Sequence, residues 1–527
     1  MSVRSLLHRG TDSSSEDFGF GNTKWVASRH QDAVTLLMLF VVLQLGLPAQ
    51  YVIGPLGGAG GPATVLGLGL LLWWAVHTLA YGGVRAQLQD RTRWLLVWWL
   101  FAVLCAYLAA TIRPIDSTEL SAADRGLLSV FSWAGVVFLI MDGIRTRARL
   151  ERLLRTVSVM GGLVALLGLV QFQTGLALTN YLKLPGLSEN GVVGGVASRE
   201  GFLRPAGTAT HPIEFGVVLA VMLPLTLYFA MNDTHRGKFA RWWPVACIGL
   251  AVPVSVSRSA IICVVVAFLV LLPAWSRVQR RVAGLAVLVL MGVVFIAIPG
   301  MIGTIFGLFS AIGGDDTSVQ SRTDSYALAA QFISRNPIFG RGFGTFLPSY
   351  RILDNQYLGT MIEVGAFGLL ALLALHYGSV GIALGIRRSS TDPATRLLAQ
   401  TLAASTAAGC ISFAFFDAFS FPQAASLTFV TIGAIGALRR LSVAEERARV
   451  ADEAGLDEPD EDEYVEGSYG PDEFQPDEFQ PEEFEPDGYE DDSAEDGSTA
   501  QPPDGQRPGQ AGDADPGAGD NPHVQLV

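Results

Sequence analysis

Residues 242–275 read WWPVACIGLAVPVSVSRSAIICVVVAFLVLLPAW, 34 residues that are apolar throughout except at Ser255-Val256-Ser257-Arg258-Ser259. As one helix, this run would extend about 51 Å at 1.5 Å per residue. The hydrocarbon core of a bilayer is about 30 Å thick. The run therefore reads as two membrane-spanning helices joined by a short polar hairpin that carries one arginine. Working outward with the same criterion gives twelve spans, near 34–54, 63–82, 94–112, 127–141, 153–176, 215–231, 242–257, 259–274, 283–299, 357–385, 397–416 and 421–438. The expected fold is an all-α polytopic membrane domain over 34–440. Composition agrees: 50% of the 527 residues are hydrophobic and only 16% are charged, against about 25% charged in soluble domains.

The arginines test the span count. With alternating sides, one set of loops carries 23 of the 33 basic residues of 1–440, at least two per loop. The positive-inside rule makes that set cytoplasmic and places both termini, including the segment 1–33, in the cytoplasm. The segment 1–33 shows no apolar stretch followed by a small-residue cleavage site, so no removable signal peptide is expected. The four cysteines lie in apolar segments and read as small buried hydrophobes. No basic patch lies outside the short loops, so nucleic acid is not an expected partner.

The net charge of −13 is the sum of two unlike parts. Residues 441–527 hold 28 Asp and Glu against three Arg, a net of −25, which leaves +12 on residues 1–440. Within this tail, 471–490 repeat the pattern PDEFQ, PDEFQ, PEEFE, PDGYE. Dense charge and periodic proline prevent a packed core, so 441–527 is expected to be a disordered acidic tail. Its evenly spaced Phe474, Phe479, Phe484 and Tyr489 fit either a solvated spacer or a docking array for a protein partner.

Two expected external loops are long, about 178–214 and 300–356. Loops of this length in a compact bundle are functional or disordered. Apolar spacing at Tyr326, Leu328, Ala329, Phe332 and Ile333 predicts a helix across about 320–334, so the second loop should be folded. Seven of the ten external basic residues lie in these two loops. Ionisable residues at membrane edges are costly and mark functional sites. Arg258 in the hairpin and Arg204 at the approach to the sixth span are the main candidates. A guanidinium fork suits bidentate contact with phosphate oxygens, so the pair points to a diphosphate at the lipid–water boundary; for Arg258, snorkelling to the outer headgroups is the alternative. Asp354 stands at the start of the tenth span, either as a helix cap or as a general base. Glu363, two turns further on, should face the bundle interior. No metal-ligand spacing occurs outside the membrane, so neither a metal nor another cofactor is expected.

Four segments taken together resemble the O-antigen ligase and Wzy polymerase-like superfamily of bacterial membrane glycosyltransferases. They are Arg204…Gly207-Thr208…His211-Pro212, Ser257-Arg258-Ser259, the run from Asn336-Pro337 to Thr345-Phe346, and Asn355-Gln356-Tyr357-Leu358…Glu363-Val364-Gly365…Gly368. The resemblance covers about 34–438. It implies a polyprenyl-diphosphate-linked glycan donor, a glycan or other hydroxyl acceptor, and transfer at the outer face of the bacterial cytoplasmic membrane. It implies that Arg204 and Arg258 bind the diphosphate, with His211, Arg322, Arg341, Asn355, Tyr357 and Glu363 around the substrates. Ligases of the family usually carry a histidine where this chain has Asp354, which leans the reading toward a polymerase or another acceptor. Twelve spans would equally serve a secondary transporter or flippase for an anionic lipid-linked glycan. Against that class, no internal repeat and no paired interrupted helices are evident.

Overall fold

The computed structural model describes residues 33–80, 90–190, 197–199, 201–310 and 317–453. All of them lie within one compact unit, Met1–Glu458. The N-terminal segment and the PDEFQ-type repeats, for which tail disorder was expected, lie outside the described residues.

The described chain is mostly helical. Its helices are α1 (Ala33–Gly46), α2 (Pro62–Ala80), α3 (Arg91–Ile112), α4 (Ser117–Gly143), α5 (Arg147–Thr174), α6 (Pro212–Asn232), α7 (Lys238–Val254) and α8 (Arg258–Leu271). They continue with α9 (Arg277–Ala297), α10 (Met301–Ser310), α11 (Thr317–Arg335), α12 (Gln356–Glu363), α13 (Gly365–Ser389), α14 (Pro393–Ser412) and α15 (Pro422–Glu453). Eight of them, α2, α3, α4, α5, α6, α9, α13 and α15, are long and apolar enough to cross a membrane, and the segments 33–46 and 258–274 are shorter apolar helices. Short strands β1 (Tyr51–Ile53), β2 (Leu187–Glu189), β3 (Ala197–Arg199) and β4 (Phe202–Arg204) lie in the loops.

Burial orders the bundle. The apolar window of α6 is 89% buried and that of α9 only 6%. A helix that is apolar on all sides belongs in a core, and α6 is that core; α9 leaves its apolar face uncovered, as a lipid-facing helix does. Small residues bring the inner helices close. A Cβ at Gly135 of α4 would lie 2.5 Å from the Gly67 carbonyl of α2, and one at Gly409 of α14 would lie 2.6 Å from Thr428 of α15. Close backbone approach of this kind substitutes for the hydrophobic drive that lipid cannot provide.

Contacts join several of the loops into two groups. At one end, β1 pairs with β2, Ala49 N–H donates to Thr208 at 2.8 Å, and Gln356 N–H donates to Phe413 at 2.8 Å. At the other end, Arg147 pairs with Asp392 at 2.5 Å, Arg155 with Asp233 at 3.0 Å and Arg439 with Asp90 at 3.6 Å.

Three expectations are corrected. The first span was read as 34–54, but α1 stops at Gly46; Pro48 follows and the chain turns into β1, which is held by β2 from the next long loop. The tenth span was read as one helix over 357–385, but it breaks at Val364 into α12 and α13. The last helix does not stop near 440, where the composition changes. It runs through Leu441 to Glu453, where Arg449 pairs with Glu446 and Glu453 at helical spacing. The helix expected at about 320–334 is found as α11.

Candidate functional site

The α7–α8 hairpin forms where the sequence break lies. Ser257 caps α8, accepting from Ala260 N–H at 3.4 Å, and Arg258 is the first residue of the helix. Val256, between the two serines, has φ of 45°. A β-branched residue in the left-handed region is strained, by about 1–3 kcal/mol. The hairpin is held by Ser255, whose hydroxyl donates to Val252 at 2.7 Å, and by Arg204 at the end of β4. The buried Arg204 guanidinium donates to the Ser255 carbonyl at 2.9 Å. The Arg204 guanidinium thus binds the three-residue turn that leads directly into Arg258, 54 positions later in sequence (258 − 204). The start of α6 lies against the same turn: a Cβ on Gly216 would stand 2.7 Å from Ala260 and 2.8 Å from the Ser255 hydroxyl. Two helix N-termini, each a positive dipole end, therefore lie at this turn.

His211 caps α6, its Nδ1 accepting from Ile213 N–H at 3.1 Å. That bond assigns the ring proton to Nε2. Burial, with the Arg204 charge adding to it, pushes the imidazole down to about 4, so His211 is a neutral donor at pH 7. Its ring meets Phe421 edge-on at 6.3 Å.

The late-loop motif has a structural task. Arg341 N–H donates to Ile362 at 3.1 Å and Gly342 N–H to Glu363 at 2.9 Å, while Pro337 and Ile338 accept from Ala366 and Phe367 at 2.9 and 3.1 Å. The loop thereby supplies partners to the backbone groups freed where α12 stops and α13 starts. Gly340, Gly342 and Gly344 all have positive φ. A Cβ at Gly340 would fall 2.3 Å from the Glu363 carbonyl, so only glycine fits.

The remaining predicted residues divide. The Arg341 side chain reaches Glu119 on α4, which also binds the Arg113 guanidinium at 2.5 Å and the Tyr350 hydroxyl. It lies over the Phe332 and Tyr350 rings at 4.9 and 5.1 Å. Arg341 thus fastens the late loop to α4. Arg322 is on α11, and its side chain lies outside the described residues. Asn355 is the cap of α12, accepting from Leu358 N–H at 3.2 Å, so the capping role considered for Asp354 belongs to its neighbour. Tyr357 donates to the Cys410 carbonyl at 2.7 Å and meets His376 Nδ1 at 3.1 Å, joining α12 to α13 and α14.

Beside these elements lies a cavity of about 510 Å³, whose polar lining includes Arg125, Arg351, Gln356, Glu363 and Asp417. The buried Glu363 accepts from Phe346 N–H at 3.0 Å. It precedes the span that begins at Gly365 and is pushed up to about 8, chiefly by burial, with the Asp417 charge adding. Asp417 accepts from the Ser420 hydroxyl at 2.5 Å and is raised by burial and by the Asp354 carboxylate beside it. Asp354 itself lines a smaller recess with Ser325 and Tyr326. Arg204 and Arg258 are not among the lining residues. Thr210 and Pro422 are, and both adjoin the arginine side. Glu214 ties them, accepting from Thr210 N–H at 2.9 Å, Thr210 Oγ1 at 2.8 Å and Gln423 N–H at 2.7 Å. The cavity is lined by the loop after α1, α4, the late loop, α12 and the α14–α15 turn. Arg125, Gln356 and Asp417 were missed as site residues. Asp417 had a signal, a lone carboxylate in Phe415-Phe416-Asp417-Ala418-Phe419 between two spans.

A polar cavity in an apolar helical bundle, eight of whose described helices are long and apolar enough to cross a membrane, fits a membrane-embedded protein. Residues 243–373 match the family model described as O-antigen ligase, a similarity that covers about a quarter of the chain. The match includes the Arg258 hairpin, the late-loop motif and α12; the Arg204–Pro212 segment lies outside it. A search of curated proteins finds no match.

Proposed function

We propose that this protein is a metal-independent, inverting glycosyltransferase of cell-surface polysaccharide assembly. It transfers or polymerises a polyprenyl-diphosphate-linked glycan onto an acceptor hydroxyl at the outer face of the bacterial cytoplasmic membrane, with both termini cytoplasmic. The observation that carries this reading is the bond from Arg204 to the strained hairpin that leads into Arg258, with Thr210, next to the His211 cap of α6, lining a carboxylate-bearing cavity.

The arginines and the adjoining helix starts bind the diphosphate and stabilise the charge that grows on it as the glycan departs. The Nε2–H of neutral His211 adds a donor on the same side. The acceptor enters the cavity, where the carboxylates Glu363 and Asp417, with Asp354 in the neighbouring recess, receive its proton.

The test uses purified full-length protein in detergent with lipid-linked glycan extracted from a strain lacking the chain. Release of polyprenyl diphosphate with glycan transfer is expected. Movement of the lipid-linked glycan across vesicles without bond cleavage would overturn the reading in favour of a transporter.

A further inference from the structure

The three carboxylates are not equivalent in place. Asp417 lies in the turn between α14 and α15 and lines the large cavity together with Phe419 and Ser420. The same turn continues to Phe421, which contacts the His211 ring, and to Pro422, which shares the cavity wall with Thr210. Asp417 therefore stands on the wall segment that reaches the donor side. Its Ser420 hydrogen bond fixes the carboxylate. Gln356, two residues after Asp354, donates its N–H to the Phe416 carbonyl at 3.1 Å and accepts from the Phe419 N–H at 2.8 Å, which holds the Asp354 stretch against the turn that carries Asp417, while Asp354 itself opens onto the separate recess. Glu363 is buried deeper, with one oxygen engaged by the Phe346 N–H.

We propose that Asp417 takes the proton from the acceptor hydroxyl, and that Asp354 is a positioning residue that acts on Asp417 through its charge. The assignment rests on the glycosyl-transfer reading above. As the acceptor oxygen bonds to the anomeric carbon, its O–H bond breaks and the proton passes to an Asp417 oxygen. The bond from the anomeric carbon to the phosphate oxygen breaks, and its electron pair leaves with polyprenyl diphosphate. Nothing is oxidised or reduced. A base is most effective when it titrates near the working pH, and the burial of Asp417 with Asp354 beside it moves its carboxyl in that direction. The other charged groups of this wall are Glu363, Arg125 and Arg351.

The experiment measures release of polyprenyl diphosphate from the extracted lipid-linked glycan across pH 5.5–9, a range of about 3.5 units chosen to bracket general-base titration. Asp417→Asn keeps an oxygen for the Ser420 hydroxyl, so its melting temperature should match that of wild type. Its rate should fall about 10²–10⁴-fold, the usual contribution of a general base. Asp354→Asn should lose less than about tenfold at the plateau and shift the acid limb of the profile to lower pH, because a like charge beside the base is gone. Formate should restore part of the activity of Asp417→Ala and none of that of Asp354→Ala. Wild-type rates in Asp417→Asn, or equal losses in both asparagine variants at every pH, would overturn the assignment while leaving the transferase reading intact. Absence of release by wild type itself would instead reject the reading.

Discussion

Replacing Gly340 with alanine tests whether the late loop builds the break between α12 and α13. The new Cβ would lie 2.3 Å from both the carbon and the oxygen of the Glu363 carbonyl and 2.5 Å from Val364 N. All three are backbone atoms, so no rotamer change relieves the contact. The loop must move away, which gives up the bonds from Arg341 to Ile362 and from Gly342 to Glu363. Two hydrogen bonds contribute about 1–3 kcal/mol together. Holding alanine at φ of 69° adds about 1–2 kcal/mol. The expected loss is therefore about 2–5 kcal/mol, with displacement of Glu363 and loss of glycan transfer. Gly292→Ala in α9 is the control: a Cβ there meets nothing within 4 Å, and the helix should gain up to about 1 kcal/mol. Unfolding in mixed micelles, followed by tryptophan fluorescence, measures both variants. If Gly340→Ala is as stable as Gly292→Ala, the loop does not clamp the break and the account of its glycines is wrong.

Arg204→Ala and Arg258→Ala should each slow transfer about 10²–10³-fold; Arg258→Lys should also be impaired, because an ammonium lacks the bidentate fork, and full activity in both alanine variants would remove the diphosphate site. Glu119→Gln should destabilise the loop attachment by about 3–5 kcal/mol, as for a broken buried ion pair, read as faster tryptic cleavage after Arg341 and Arg351. His211 is held at about 4 when folded against about 6.5 unfolded. The unfolded chain therefore binds the extra proton between these values, and stability should fall as pH drops from about 6.5 toward 4. His211→Asn, which keeps a capping side chain, should flatten that part of the stability profile. In a cysteine-free background, an impermeant thiol reagent should label a cysteine at Ser318 and not one at Ser468 in intact cells; the reverse would reject the sidedness.

Most helices were legible because their signal is local. An apolar run of sufficient length is a span, and Ser255–Ser259 marked the one place where a run had to be divided. The break at Val364 was not legible. Its cause is a set of hydrogen bonds from Pro337 to Gly342, while the run from Tyr357 onward is uniformly compatible with one helix. The same holds for α1, which ends where β1 meets a partner from a distant loop. Among site residues, Arg204 and Arg258 could be singled out because each is a lone charge at a membrane edge. That Arg204 binds Ser255, in the hairpin leading into Arg258, follows only from tertiary folding. Arg341 shows the opposite limit, since its position in a glycine-rich motif gave no hint of Glu119 more than two hundred residues earlier.

That separation matters during synthesis. Glu119 and Arg341 are 222 residues apart, so at about 5–20 residues per second the carboxylate enters the membrane region roughly 10–45 seconds before its distant cation exists. Arg113, only six residues away, is already present in that interval. It serves as a resident counter-ion for the half-built protein, able to keep α4 insertable until the late loop arrives and Arg341 completes the cluster.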